Sequence, residues 1–341
     1  MKKHVNIPIF IPHLGCPNQC VFCNQRTISG TQNFDIGTVD QAILNGLSTV
    51  LPEQEVEIAF FGGSFTGIDR SLMISLLEIA YKYIESGRVS SIRLSTRPDY
   101  IDEEILDILN HYGVKTIELG LQSINDKVLS ISKRGHTSID AEKACKMIVD
   151  AGFLLVGQMM VGLPGSTLES ELETAEFIIK CGAKGARIYP TVVFRDTELC
   201  DMALSGDYTP ITVDDAILRS SMLFQRFIDA GIGVIRIGLC SQDTIFLDDT
   251  YFAGPNHPAL GELVIGEFFY QKIRKVISKL NKEKINNCLH IYVAPGMLSK
   301  AIGQKKKNKI RLLNEFGLSE ITFRESNLLK EYEFKIDFER K

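Results

Sequence analysis

Short runs of apolar residues alternate along this chain with longer stretches in which apolar residues recur at steps of three and four. The short runs fall at 5–11, 55–61, 91–96, 115–120, 153–160, 185–189 and 233–238, each of strand length. Between them the helical spacing covers 38–50, 69–86, 102–112, 125–131, 138–151, 167–181 and 213–230, as in Leu72-Met73-x-x-Leu76-Leu77-x-x-Ala80. Strand, helix and strand repeated in this way predict an α/β fold, a partial parallel (β/α)6 barrel built from right-handed crossovers. Chemistry in such barrels sits at the C-terminal ends of the strands, so the residues just past each strand are the candidates.

The pattern changes near Tyr251-Phe252-Ala253-Gly254-Pro255-Asn256-His257-Pro258, where two prolines and a glycine mark a boundary or a turn. The expected division is a barrel domain over 1–245 and a small α+β domain over 246–341. Within the second, residues 289–323 read as strand, helix, tight basic loop, helix and strand. The net charge of −4 hides a segregation. Residues 271–341 hold 17 Lys and Arg against 8 Asp and Glu, while the preceding residues hold 21 against 34. A basic part beside an acidic one points to an anionic partner, the plainer alternative being a solvated lysine-rich face.

In a chain of 341 residues, 45% hydrophobic and 23% charged, eight cysteines are too few for a disulfide scaffold. The N-terminus lacks a signal-peptide pattern, and no apolar run approaches the length of a membrane span. The expectation is therefore a cytoplasmic protein with no membrane contact, in which clustered cysteines bind metal. One such cluster exists: Cys16, Cys20 and Cys23, spaced Cys-x3-Cys-x2-Cys. Three thiolates can hold three corners of a 4Fe–4S cube and leave the fourth iron open. With His13, the same cysteines could instead close a tetrahedral zinc site, and spacing alone leaves both open. Cys145, Cys181, Cys200, Cys240 and Cys288 are scattered and read as small core residues, with Cys240 alone following a strand end.

The strand ends carry polar residues and glycines: Gly62-Gly63-Ser64-Phe65-Thr66, Ser95-Thr96-Arg97-Pro98-Asp99, Glu118-Leu119-Gly120-Leu121-Gln122-Ser123, Gln158 followed by Gly162-Leu163-Pro164-Gly165, and Arg187-Ile188-Tyr189-Pro190-Thr191 with Thr197-Glu198-Leu199. Together with the cysteine run and its aromatic Phe22, these motifs resemble the radical S-adenosylmethionine (radical SAM) enzymes, and within them the catalytic-subunit family of the Elongator complex. A more distant likeness is to oxygen-independent coproporphyrinogen oxidases. The cysteine spacing is more compact than in the Elongator group, Gly-Gly-Ser replaces its usual Gly-Gly-Glu, and the acetyltransferase domain of that group has no counterpart in this sequence.

The resemblance favours the cluster over zinc and implies a radical SAM barrel using a 4Fe–4S cluster and S-adenosylmethionine, with an external one-electron reductant of flavodoxin or ferredoxin type. It implies that Cys16, Cys20 and Cys23 bind three irons and that S-adenosylmethionine chelates the fourth, where it is cleaved to a 5′-deoxyadenosyl radical. It further implies that Phe22 packs near the adenine or shields the cluster, and that Gly62, Gly63 and Ser64 receive the methionyl ammonium. Glu118 and Gln158 are expected on polar groups of the ribose or amino acid, and Arg97 or Arg187 on the carboxylate.

In the basic part, Ile302-Gly303-Gln304-Lys305-Lys306-Lys307-Asn308 is similar to the Gly-x-x-Gly loop of a KH RNA-binding module, with Lys306 in place of the second glycine. Lys305, Lys306, Lys307, Lys309 and Arg311 are the expected phosphate contacts. The leading expectation is an enzyme that modifies RNA, with a tRNA base as the candidate substrate. The alternatives are a radical SAM enzyme for a small molecule such as a tetrapyrrole, and a non-catalytic, metal-stabilised RNA-binding protein.

Overall fold

The computed structural model describes residues 4–11, 16, 20–23, 34–239, 250–280 and 288–337. The chain divides into two units, one of Met1–Ile211 with Phe227–Asn256 and one of Thr212–Arg226 with His257–Lys341.

The first unit is built on strands β1 (His4–Ile11), β2 (Glu55–Gly62), β3 (Ser91–Thr96), β4 (Val114–Gln122), β5 (Leu154–Val161), β6 (Gly185–Pro190) and, after a short β7 (Val193–Phe194), β8 (Gly233–Ile237). The seven long strands form one sheet in the order β1-β2-β3-β4-β5-β6-β8. All six neighbouring pairs are parallel. Because the order never reverses, each right-handed crossover winds the sheet in one direction, giving a curled half-barrel rather than a doubly wound sheet. The seven strands are the seven apolar runs expected from the sequence. A short antiparallel pair joins β7 to β9 (Tyr251–Ala253).

The crossover helices are α1 (Val39–Ser48), α2 (Arg70–Glu85), α3 (Glu103–His111), α4 (Asp126–Ile131), α5 (Ser138–Asp150) and α6 (Leu168–Lys180), followed by α7 (Glu198–Ser205) and α8 (Val213–Asp229). Their starts are chemical. Asp69, Asp102, Asn125, Thr137 and Thr167 each accept a first-turn backbone N–H, and Thr137 and Thr167 form reciprocal capping boxes. Helices α3 and α5 stop just before Gly113 and Gly152, whose φ of 74° and 86° turns the chain into the next strand. Helix α2 buries Met73, Leu76, Leu77, Ala80 and Tyr83, a single stripe, each large side chain stabilising by about 1.5–3 kcal/mol.

Strand register sorts the side chains onto two faces. Ile58, Phe60, Ile92, Leu94, Ile117, Leu119, Leu155 and Met159 share the apolar face. Helix α6 packs on that face so closely that a Cβ on Gly157 would lie 2.6 Å from the Ile178 side chain. The opposite face carries Glu57, Arg93, Glu118, Gln158 and Arg187. The strand bodies are thus not uniformly apolar, as their sequence suggests; the inner face of the half-barrel is charged.

The second unit contains α8 as far as Arg226, together with α9 (Leu260–Ile277), β10 (Cys288–Val293), α10 (Leu298–Ile302), α11 (Lys307–Phe316), β11 (Glu320–Glu325) and β12 (Phe334–Asp337). Its sheet has the order β11-β10-β12, with β11 parallel and β12 antiparallel to β10. This is the strand–helix–loop–helix–strand run expected over 289–323, with a further strand. Among the described residues no helix is long and apolar enough to cross a membrane.

Candidate functional site

At the C-terminal edge of β1 and β2 the backbone is pressed together. Gly62 has φ 122°, and a Cβ there would lie 2.3 Å from the Ile11 carbonyl, so a side chain is excluded. The next amide, Gly63 N–H, donates to that same carbonyl at 3.2 Å. The chain then turns so that Ser64, 1% exposed, sets its hydroxyl 3.9 Å from the Cys16 sulfur.

The cysteine segment is held from a second direction. Val21 N–H donates to Ser132 O at 3.3 Å, and Leu199 N–H donates to Val21 O at 2.8 Å. The Val21 side chain is buried with Val193, Leu199, Cys200 and Tyr208, and Phe22 packs against the same group. Cys23 N–H closes a turn onto Cys20 O at 2.9 Å. The Cys20 sulfur is buried and accepts from Arg134 Nη1 at 3.2 Å. No group of three or more His, Cys, Asp or Glu among the described residues stands close enough to hold a metal. His13 and Cys240 lie outside the described residues. Cys145 and Cys200 are buried, whereas Cys181 and Cys288 are half-buried.

Buried cations surround this edge. Arg97, 3% exposed, makes a two-pronged pair with Asp99, both bonds at 2.9 Å, and also donates to the Arg134 carbonyl. His136 is buried, and burial, followed by the charges of Arg134 and Arg97, lowers its pKa to about 4. Arg97 Nη1, Gln122 Oε1 and Arg134 Nε are buried here with no partner among the described residues. Gln122 also sits at φ 66°, an uncommon conformation for a residue with a side chain. Orphaned buried donors and acceptors beside three soft sulfur donors fit a site that takes a polar ligand and an iron–sulfur cluster.

Deeper in the half-barrel, Glu118, 1% exposed, accepts from Arg93 Nη1 at 3.0 Å and from Arg187 Nη2 at 2.9 Å. Arg93 also donates to Glu57 at 2.8 Å, and Glu57 further accepts from Ser91 at 2.6 Å and meets His4 at 2.7 Å. Arg187 reaches the Tyr189 hydroxyl at 3.3 Å and lies 5.5 Å from the centre of the Phe61 ring. Burial opposes the Arg187 charge, but Tyr189 and Glu118 hold its pKa above the usual value. Burial also raises the Tyr189 hydroxyl. Arg187 and Glu118, read as separate cofactor contacts, are thus partners in one ladder. Gln158, half-buried, lies beside Arg187 in the β5–β6 register. The sequence reading missed Glu57, Arg93 and Arg134. The first two lie within strand bodies, where a lone charge looks like a solvated one, and Arg134 lies in a loop with no motif around it.

The Radical SAM superfamily profile matches residues 10–178, and the Radical_SAM C-terminal domain matches residues 183–269. The chain belongs to the radical SAM superfamily. Radical SAM enzymes use a 4Fe–4S cluster and S-adenosylmethionine, and this chain is an enzyme of that kind. Its relatives lie in the Elongator group. It is 30% identical over 243 residues to a tRNA uridine(34) acetyltransferase of Methanocaldococcus jannaschii, covering 59% of this chain and 45% of the relative. It is 32% identical over 183 residues to Elongator complex protein 3 of Mus musculus, covering 48% and 34%. The chain therefore spans half or less of the length of these curated relatives. In fold it is similar to archaeal Elp3 of Methanocaldococcus infernus, with a TM-score of 0.62, 23% identity, and coverage of 81% of this chain and 64% of that one.

In the second unit, Gly303 to Lys306 joins α10 to α11. Lys305 and Lys306 both adopt left-handed backbone, with φ 51° and 64°. The bend is held by Asn308, 4% exposed, whose side-chain amide donates to Gly266 O at 2.7 Å and Ala301 O at 3.2 Å. Lys305, Lys306 and Lys307 are exposed, and Lys309 is half-exposed. The bend borders a cavity of about 370 Å³ whose walls include Glu262, Glu267, Lys300 and Asn308. Arg311 is engaged differently from the lysines: it pairs with Glu267 at 2.5 Å and stacks on the Tyr270 ring, 3.4 Å from its centre.

Proposed function

We propose that this radical SAM enzyme modifies RNA, with tRNA as the substrate class, and that Cys16, Cys20 and Cys23 carry its cluster. The observation that supports the ligand reading most is the convergence on one sheet edge of the Gly62–Gly63 turn, Ser64 beside Cys16, and Arg134 on Cys20. When bound, the cluster supplies one-electron cleavage of S-adenosylmethionine to the 5′-deoxyadenosyl radical that takes hydrogen from substrate. The chain's own part is to bind, orient and exclude water. Gly62 and Gly63 let backbone approach the cofactor, while Ser64 offers a hydroxyl at the same turn. Arg97 Nη1 and Gln122 Oε1 are a donor and an acceptor, already buried, for its polar groups. Phe22 walls the cysteine loop, and Glu118, Gln158 and Arg187 supply the polar lining of the half-barrel. A one-electron donor of flavodoxin or ferredoxin type is the reductant in this reading, and the cytoplasm is the compartment.

The RNA reading draws on the printed activity of a relative, a tRNA uridine(34) acetyltransferase, and on the exposed lysines of the α10–α11 bend. Lys305, Lys306, Lys307 and Lys309 are assigned to phosphate contacts, and Arg311 to a contact that requires exchange with Glu267. The domain over 246–341 is the RNA-binding part in this scheme, and that over 1–245 the catalytic core. Anaerobic incubation of the reconstituted chain with S-adenosylmethionine, reductant and small RNA, followed by nucleoside mass spectrometry, tests it. A new modified nucleoside is the expected result. Formation of 5′-deoxyadenosine with every nucleoside unchanged, and no RNA binding at low salt, overturns the RNA assignment in favour of a small-molecule substrate. Absence of both a 4Fe–4S chromophore and 5′-deoxyadenosine overturns the ligand assignment.

A further inference from the structure

The cavity bordered by the α10–α11 bend lies wholly within the second unit. Its volume of about 370 Å³ suits one small molecule or one residue of a polymer, since ligand clefts run upward from about 300 Å³. Three helices supply an aliphatic wall: Ile217 from α8, Leu263 from α9 and Ile302 from α10. Lys300, Lys305, Lys306 and Lys307 add cations to the lining. The bend that carries them is fixed in place, because buried Asn308 donates to the carbonyls of Gly266 on α9 and Ala301 on α10.

Two carboxylates line the same cavity, and they differ. Glu267 is already engaged: Arg311 pairs with it at 2.5 Å and Gln271 donates to it at 2.6 Å. Glu262, nearer the start of α9, is exposed, and the ion pairs among the described residues of this unit leave it out. A ligand that uses the whole lining therefore needs a negative group for the lysines, a flat apolar face for the aliphatic wall and an N–H donor for Glu262. An inorganic anion has only the first. A fatty acid has no such donor, and an acidic peptide sets carboxylates against Glu262. A nucleotide whose base bears an exocyclic amine has all three. Uridine presents a carbonyl oxygen where cytidine presents its amine, so uridine would meet Glu262 acceptor against acceptor.

We propose that this cavity takes one unstacked nucleotide of the RNA, with the base against the aliphatic wall, its exocyclic amine on Glu262 and its phosphate at the lysines of the bend. Glu262 then makes the second unit select amino-bearing bases over uridine, partly by attraction and partly by repulsion of the wrong base. The inference rests on RNA being the substrate class.

The test measures binding of the full chain to two labelled oligonucleotides, pentacytidylate and pentauridylate, by fluorescence anisotropy at low salt. Both carry the same phosphates, so the sequence-independent part of the affinity cancels in their ratio. Pentacytidylate is expected to bind about tenfold tighter. Glu262→Gln keeps the side-chain shape, and its amide can donate to uridine as well as accept from cytidine, so the two affinities are expected to come within about twofold of each other. Because Glu262 is exposed, that variant is expected to keep the thermal midpoint of the unaltered chain. Equal affinities in the unaltered chain overturn the proposal, and so does a preference for cytidine that survives in Glu262→Gln. Cytidine 5′-monophosphate bound with the same dependence on Glu262, while pentacytidylate is not bound, overturns RNA as the source and makes the ligand a free nucleotide. Binding of tRNA with neither oligonucleotide nor the monophosphate bound overturns the cavity assignment alone. Loss of tRNA binding as well at low salt removes the RNA reading itself, and this inference with it.

Discussion

Glu118→Gln removes the charge at the centre of the half-barrel ladder while keeping the side-chain shape. Glu118 is 1% exposed and faces two arginines. They differ in what remains to them. Arg93 keeps Glu57 at 2.8 Å, whereas among the described residues Arg187 keeps the Tyr189 hydroxyl at 3.3 Å and the face of Phe61. The substitution therefore isolates one buried cation. Breaking a buried pair from one side costs about 3–5 kcal/mol, because the surviving charge stays desolvated. In a domain of this size each kcal/mol lowers the midpoint by about 2–4 °C, so the expected fall is roughly 6–20 °C. Thermal unfolding followed by far-ultraviolet circular dichroism at a fixed scan rate measures it. Lys146→Ala is the control: its partner Asp150 is one turn away, both side chains are exposed, and such pairs are worth under about 0.5 kcal/mol. The double variant Glu118→Gln, Arg187→Met removes the isolated charge and is expected to recover most of the stability. A midpoint within about 2 °C of the unaltered protein in Glu118→Gln, or a double variant no better than the single one, refutes the reasoning.

Three further outcomes are expected. His136 has a folded pKa of about 4 against an ordinary 6.5, so the unfolded chain binds the extra proton: its contribution is complete above pH 6.5 and is lost as pH falls toward 4, by about 3 kcal/mol in all. Denaturant titrations at pH 4.5 and 7 check this, and His136→Asn is expected to flatten that part of the pH profile. Asn308→Ala leaves the carbonyls of Gly266 and Ala301 without the amide they accept from, and is expected to destabilise by about 1–3 kcal/mol in chemical unfolding. RNA affinity measured from low to high salt is expected to fall steeply, and joint replacement of Lys305, Lys306 and Lys307 by Ala to flatten the logarithmic slope by about 0.7 for each phosphate no longer neutralised. An unchanged slope removes those lysines from the interface.

Much of the architecture is a local property and was legible in the sequence. The strands at 55–62 and 185–190 follow from short apolar runs, and the helices at 70–85 and 168–180 from apolar residues at steps of three and four. The cysteine spacing and the Gly62–Gly63 turn are equally local, because a tight turn and a close backbone approach need particular residues at adjacent positions. The partners of those residues are not local. Arg93, Glu118 and Arg187 come from three different strands, and only the parallel register sets them on one face as a ladder. Arg134 meets Cys20 across 114 residues because the α4–α5 loop returns to the edge of the sheet where the cysteine segment lies. Which elements form, and which thiols are available to a cluster, are written in the order of the residues. Which buried charges face one another is a property of the folded chain, because Coulomb pairing depends on distances of a few ångströms that no spacing along the chain specifies.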